Sequence, residues 1–549
     1  MRQWFRSGDP WVWMAASAVS ISMILVFGLL LLIAARGLGH FWPSDIVKLD
    51  YRSQSGEMIV LQGEIHDRER VSAERLRDAG YSVEGDQDVE RFLLKMGNRD
   101  LTGQDFRWVV VPDIVKQQIP SSLMTVERRE WGNLYGELVN VKQAGEVVAE
   151  GNQAWAVLQQ HLQRTDDLFQ QIQDIERGEI GAVNYDIEKL RLHTRSLELK
   201  GQLDLSAKQL IKQQRAQLDA QYNKMQVALE QLYNQIRRDS ITVVVAGGQE
   251  IEWPLAKIVK VYQPNDMSVL DKSLFYIAKL YEFVSEDPRE ANTEGGIFPA
   301  IFGTVMMVII MSIIVVPFGV VAAVYLREYA SQGPMIRLIR IAVNNLAGVP
   351  SIVYGVFGLG FFVYFLGGNI DQLFYPEALP APTFGTPGLM WASLTLALLT
   401  VPVVIVATEE GLSRIPKSIR EGSLALGATK AETLWRTVLP MASPAIMTGM
   451  IMAIARAAGE VAPLMLVGVV KLAPTLPLDG NMPFLHLDRK FMHMGFHIYD
   501  VGFQSPNVEA ARPLVYATAL LLVIVIIALN IAAIGIRNHL REKYRALEN

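Results

Sequence analysis

Along the chain, apolar residues gather into blocks separated by one very long polar stretch and several short ones. A helix needs about 20 apolar residues to cross about 30 Å of hydrocarbon. Six blocks reach that length, at 11–35, 297–326, 341–366, 389–408, 441–470 and 513–536. The first follows Arg2 and Arg6, exceeds the core of a cleaved leader and has no sharp small-residue cleavage site behind it, so it is expected to remain as a helix. The pattern predicts a polytopic membrane protein.

The long polar stretch, 41–296, carries two different periods. Short β-like runs, "RWVVVPDIV" and "ITVVVAGGQEIEWPL", flank a helical centre near 152–240, and Gly247-Gly248 in the second run is a hairpin signal. In the centre Ile211, Leu218, Met225 and Leu232 recur every seven residues, with Tyr222, Leu229 and Ile236 four after the last three. That is the seam of a coiled coil. Trp155, Leu158, Leu162, Phe169 and Ile172 share an earlier face, and the "RGEIG" stretch after them predicts a break, hence a folded-back hairpin. A self-packed stalk and a docking surface for another chain both fit this pattern. The expected division is a first span within 1–40, an α/β insert over 41–296, and a core of five further spans over 297–549 with a loop at 409–440.

Composition narrows the class. Half of the 549 residues are hydrophobic, the formal net charge is −5, and no long basic tract points to nucleic acid. Without cysteine there are no disulfides or thiolate metal sites. Charge also orients the chain, because short cytoplasmic loops are rich in Lys and Arg. Arg327, Arg337 and Arg340 lie in one loop, Arg414, Lys417, Arg420, Lys430 and Arg436 in another, and the tail ends "RNHLREKYR". The loop "NIDQLFYPEALPAPTFGTP" has neither Lys nor Arg. Both termini are therefore expected in the cytoplasm of an inner-membrane protein, and the insert in the periplasm.

The basic loop contains "GLSRIPKS", close to a phosphate-binding loop, but Pro416 stands where that pattern needs a second glycine. Proline has no N–H to offer a phosphate. No nucleotide site is expected, so an energy source must sit on another chain. Downstream, "EGSLALGATKAETLWRTVLP" predicts an amphipathic helix over 421–426, a stop at Gly427 and a second helix ending at Pro440.

That elbow resembles the cytoplasmic coupling motif of ABC importer membrane subunits, E-A-A-x3-G-x9-I-x-L-P. Glu421, Gly427, Leu439 and Pro440 match it, while Gly422, Ser423 and Thr437 replace the two alanines and the isoleucine. The resemblance implies a knob, formed by Glu421, Gly422, Ser423, Gly427, Leu439 and Pro440, that docks on a separate ATPase dimer. "NNLAGVPSIVYGVFGLGFF" and "AIARAAGEVAPLM" further resemble hallmark segments of phosphate permeases of the PstA family. The resemblance covers about 295 to the end together with the first span. It implies an all-helical six-span permease, no cofactor, a second homologous permease, a phosphate-binding protein outside, and a substrate path carrying Asn344, Asn345, Ser351, Arg456 and Glu460. A shorter core is the family's pattern, so the insert is a departure.

Three residue groups bear on the chemistry. In "GVPSIVYGVFGLG", Pro350 removes a helix hydrogen bond, and Gly348, Gly355, Gly358 and Gly360 suit either close helix packing or irregular backbone beside a path. Arg456 and Glu460 stand four apart in an otherwise apolar run. Each charge costs about 2.5–3.5 kcal/mol near a bilayer centre, while an i, i+4 pair recovers only about 0.2–0.5 kcal/mol in water. Function is the better account: arginine donates two parallel hydrogen bonds to an oxyanion, and a neighbouring carboxylate keeps it from trapping the ion. His486, His493 and His497 with Asp488 and Asp500 precede the last span; the i, i+4 histidines alone do not make a metal site, and none is expected there. The expectation is a permease for inorganic phosphate. The alternatives are a permease for another oxyanion, an envelope scaffold or signalling protein built on the coiled coil, or an ion-driven carrier, which would need relay acids in several spans.

Overall fold

Pro350 and Gly459 decide where two of the membrane helices begin and end. In the computed structural model, which describes residues 9–81, 85–289, 292–505 and 508–544, six helices are long and apolar enough to cross a membrane. They are Asp9–Gly39, Phe298–Tyr329, Ser351–Phe374, Leu389–Arg414, Lys430–Gly459 and Ala511–His539, numbered here as spans one to six. Arg2, Arg6 and the end of the basic tail at Arg545 lie outside the described residues.

Spans three and five differ from expectation. Residues 341–346 belong to a separate amphipathic helix, Pro334–Leu346, and span three starts only after Pro350, which stands at its N-cap. Pro350 thus ends one helix and starts another instead of kinking one, because a proline and the residue before it resist helical continuation. Span five begins eleven residues early, at Lys430, and stops at Gly459. Beyond it Glu460 is extended (φ −80°, ψ 132°) and a short turn, Leu464–Val467, follows. Arg456 and Glu460 therefore flank a helix end and do not lie inside one continuous span.

The chain divides into two compact units, Met1–His40 with Ile297–Asn549, and Phe41–Gly296. In the first, Met307, Met311 and Val315 of span two, Leu396 and Val404 of span four, and Ala453 and Ala457 of span five form one buried cluster. Small residues let these helices approach, as lipid supplies no hydrophobic drive between them. A Cβ on Gly319 would meet Val404 Cβ at 2.8 Å, and one on Gly449 would meet Ala407 at 2.8 Å. Hydroxyls within the spans bond back to their own helix, as in Thr400 to the Leu396 carbonyl at 2.8 Å.

The second unit holds two antiparallel sheets. One joins β1 (Ile46–Arg52), β2 (Met58–Val71), β3 (Val89–Lys95), β4 (Phe106–Val110) and β5 (Ile114–Gln118) in the order β4-β3-β2-β1-β5. The other joins β6 (Leu123–Arg128), β7 (Leu134–Gln143), β8 (Glu146–Glu150), β9 (Asp239–Val244), β10 (Glu250–Pro254) and β11 (Ile258–Tyr262) in the order β10-β9-β7-β6-β11, with β8 on β7. Gly247 and Gly248 turn the chain between β9 and β10 with φ of +87° and +81°, values that a side chain would strain.

Between β8 and β9 a helical hairpin leaves the sheet. Its outgoing arm, Ala154–Gln173 and Ile180–Leu199, is joined by a wider π turn, Asp174–Glu179, so the expected break at 177–181 is absent. The chain reverses at Gly201 (φ +65°), and the Asp204 carboxylate caps the returning helix, Leu205–Ile236, by accepting from Ala207 N at 2.7 Å. Leu158, with Trp155 and Leu162, packs on the second sheet, whereas Leu168, Phe169 and Ile172 pack on Leu229, Leu232 and Ile236 of the return arm. The face read as one stripe serves two partners.

Candidate functional site

Arg456 occupies the last turn of the helix Leu439–Gly459, where the unpaired carbonyls of a helix end favour a cation. Its Nε lies 3.6 Å from Glu460 Oε1, too long for a good hydrogen bond. Among the described residues neither side chain makes another hydrogen bond or ion pair, and both are about a quarter exposed, at 31% and 21%. The terminal nitrogens of the guanidinium are therefore open to a further anion.

The glycine-rich segment is packed against the backbone that follows this pair. A Cβ on Gly355 would lie 2.7 Å from Pro463 Cα, and one on Gly358 would strike Thr395 of span four, so these two glycines are packing surfaces; Gly360 faces open space. Tyr354 donates its hydroxyl to the Leu346 carbonyl at 2.6 Å, tying the end of the amphipathic helix to the first turn of span three. Ser351 is half-buried in that first turn.

Asn344 lines a cavity of about 310 Å³ with Ala347, Pro402, Ala407, Glu410 and Met452. Met452 lies one turn before Arg456 on the same helix, so Asn344 and the arginine share one flank of span five. Asn345 is exposed and does not line the cavity. Glu410 was missed in the sequence; the signal was an acidic pair, Glu409-Glu410, at the end of an apolar block. Its neighbour Glu409 is held at 3.2 Å by Arg340, whose η nitrogens also donate to Gln332 Oε1 and the Leu326 carbonyl.

The elbow after span four departs from the expected bounds. Its helix is Lys417–Ala425, begun by Pro416, four residues earlier than read from the apolar pattern. Gly427, at φ +90°, stops it, and a Thr429–Glu432 capping box opens the next helix. That helix does not end at Pro440. A π turn, Leu434–Val438, carries it into span five, and the extra residue in the turn relieves the clash that proline makes with the preceding turn. Arg420 clamps the elbow by donating to the Leu412 carbonyl at 2.8 Å, the Ile415 carbonyl at 2.7 Å and Glu328 Oε1 at 2.9 Å, while Lys430 donates to the Glu328 carbonyl. Ser423 and Thr433 hydroxyls meet at 2.9 Å. Glu421 and Gly422 are exposed, Leu439 and Pro440 are half-buried, and Leu426 (91% exposed) and Trp435 (76%) are exposed apolar side chains. Neither is marked by the sequence pattern, although a tryptophan in a basic loop is a visible signal.

In the loop before span six, His493 caps the short helix Met494–Tyr499 by accepting from Gly495 N at 3.1 Å, so His493 and His497 do not present a helical i, i+4 pair. Both rings are buried, and burial pushes each down to about 4. Asp500 pairs with Lys471 at 3.1 Å, and His486 with Asp479 at 2.9 Å. No group of three metal-ligating side chains occurs among the described residues.

Residues 315–546 match the family model for the binding-protein-dependent transport system inner membrane component. The phosphate transport system permease protein PstA of Mycobacterium leprae is 36% identical over 225 residues, 40% of this chain and 68% of that protein. PstA 1 of Mycobacterium tuberculosis H37Rv is 37% identical over 247 residues, 44% and 70% respectively. The phosphate transport system permease protein PstC of Mesorhizobium japonicum is 31% identical over 190 residues, 33% and 58%. The insert lies outside the residues that match the family model.

Proposed function

Because the chain belongs to the PstA family of phosphate permeases within the binding-protein-dependent transport components, we propose how this member divides its work among the sites above. It is a membrane-spanning translocation subunit of a phosphate import system, with the ABC importer permease fold, and not itself a catalyst. Arg456 attracts phosphate in transit, and Glu460 holds and partly neutralises it so that the ion can leave, since conduction needs binding weak enough to release. The observation that carries this reading is the single 3.6 Å ion pair of Arg456 among the described residues, which leaves its fork open beside irregular backbone. Asn344, Asn345 and Ser351 border the same path, and Glu410 sets the charge of the cavity below Arg456.

The elbow with Glu421, Gly422, Ser423, Gly427, Leu439 and Pro440 seats the exposed Leu426 and Trp435 in a cleft of a separate ATPase. A second permease of the PstC kind completes the path, and a soluble phosphate-binding protein delivers to it. Both termini are cytoplasmic, and the insert, with boundaries at 41 and 296, is periplasmic. Its hairpin packs as a coiled coil along Ile211, Leu218, Met225 and Leu232. The test is rescue of phosphate uptake by this chain with its companion permease and ATPase in cells lacking their own system, with sulfate and molybdate as competitors. Uptake that prefers another oxyanion would move the substrate, and an ATPase that does not co-purify would remove the coupling role.

A further inference from the structure

The helix Val269–Ser285 in the insert is amphipathic in the reverse of the usual sense. Three of its four charged side chains turn inward onto the unit's own residues: Lys272 meets Asp45 at 2.5 Å, Lys279 meets Glu127 at 2.5 Å and Glu282 at 2.9 Å, and Lys260 reaches back to Glu282, while Asp271 is exposed and closes the capping box with Ser268 at the helix start. Its outward face is apolar. Leu270, Leu274, Ile277, Tyr281 and Val284 stand at i, i+4, i+7, i+11 and i+14, with Val269 beside them, and are between 42% and 76% exposed. A contiguous apolar face of this kind marks an interaction surface.

Two observations choose the occupant. Phe41 and Trp42, the second and third residues after the last residue of span one, Gly39, pack on this helix, Phe41 on Phe283 at 5.0 Å between ring centroids and Trp42 on Tyr276 at 5.9 Å. The helix also ends thirteen residues before Phe298, where span two starts. Short chain connections thus join it to spans one and two, and Trp42, Tyr276 and Tyr281 are residue types that gather at membrane interfaces.

We infer that Val269–Ser285 lies on the bilayer surface with Leu270, Leu274, Ile277 and Tyr281 dipped into the acyl boundary, so that lipid, and not a protein partner, covers this face of the insert. The helix is then a two-sided anchor, ion-paired to the sheets on one side and immersed on the other. This rests on spans one and two crossing the membrane, and is indifferent to which side the insert occupies.

The natural chain has no cysteine, so single cysteines can be placed without background. The full chain carrying a spin label at Ile277→Cys, Phe27→Cys in span one or Gln214→Cys on the hairpin would be reconstituted in phosphatidylglycerol–phosphatidylethanolamine nanodiscs. Collision with lipid-soluble oxygen would then be compared with that of a water-soluble nickel chelate. Oxygen should dominate several-fold at Ile277 and Phe27, and the chelate at Gln214. Dominance of the chelate at Ile277, or shielding of that label from both reagents by a protein cover, would overturn the inference while the Phe27 signal stands. Loss of the lipid signal at Phe27 would instead overturn the span assignment beneath it.

Discussion

Two arginines, 36 positions apart, meet opposite surroundings. Arg420 donates to two backbone carbonyls and a carboxylate within 2.7–2.9 Å, and its partner Glu328 is only 12% exposed. Among the described residues Arg456 makes a single ion pair, at 3.6 Å. A cation whose two terminal nitrogens are engaged by neighbouring segments holds those segments together, whereas one whose terminal nitrogens are left free in an apolar region carries a cost that structure alone does not repay. The elbow is accordingly a rigid part and the helix end at Gly459 an available one.

The contrast breaks first at Arg456. Arg456→Leu should abolish phosphate uptake in reconstituted vesicles with the complex still assembled, Arg456→Lys should restore little because the planar fork is lost, and Glu460→Gln should slow transport. Normal uptake by an assembled Arg456→Leu complex would make the pair structural and erase the difference from Arg420.

Arg420→Met should do the reverse, losing assembly before transport chemistry. Removing one partner strands Glu328, at a cost of about 3–5 kcal/mol if the site behaves as a buried pair. A lowered thermal midpoint in detergent, with weaker ATPase retention, is the expected reading, and an unchanged midpoint would show that the clamp is ornamental.

Smaller effects sharpen the same elbow. Gly427→Ala forces a side chain into left-handed backbone for about 1–2 kcal/mol. Gly422→Ala should be neutral or slightly stabilising, since its Cβ would meet nothing within 4 Å and alanine is the better helix former. Coupled ATP hydrolysis should fall only in the first; equal loss in both would mean that the surface, and not the turn, matters.

The smallest effect at neutral pH comes from His493 and His497. Their folded values near 4 lie below the ordinary value of 6.5, so the unfolded chain binds protons first as pH falls. Stability is therefore full above about 6.5 and declines toward 4. Thermal midpoints measured across that window should drop in the parent and flatten in a variant with both histidines changed to glutamine.

The sequence alone determined the number of spans, because twenty apolar residues in a row have few other uses, and it located Gly427 and the Gly247-Gly248 turn, because positive φ is a local demand. It also carried the family, through Glu421, Gly427 and the Arg456–Glu460 stretch. Helix ends near prolines were legible only in part. Pro350 broke a helix that apolar content would have continued, while Pro440 was absorbed by a π turn whose extra residue no composition announces. The split of one apolar stripe between sheet and hairpin, the clamp of Arg420 on Glu328, 92 residues away, and the open fork of Arg456 were left to the tertiary structure. Each depends on which side chains from distant segments arrive within hydrogen-bond range, and a local pattern holds no record of that.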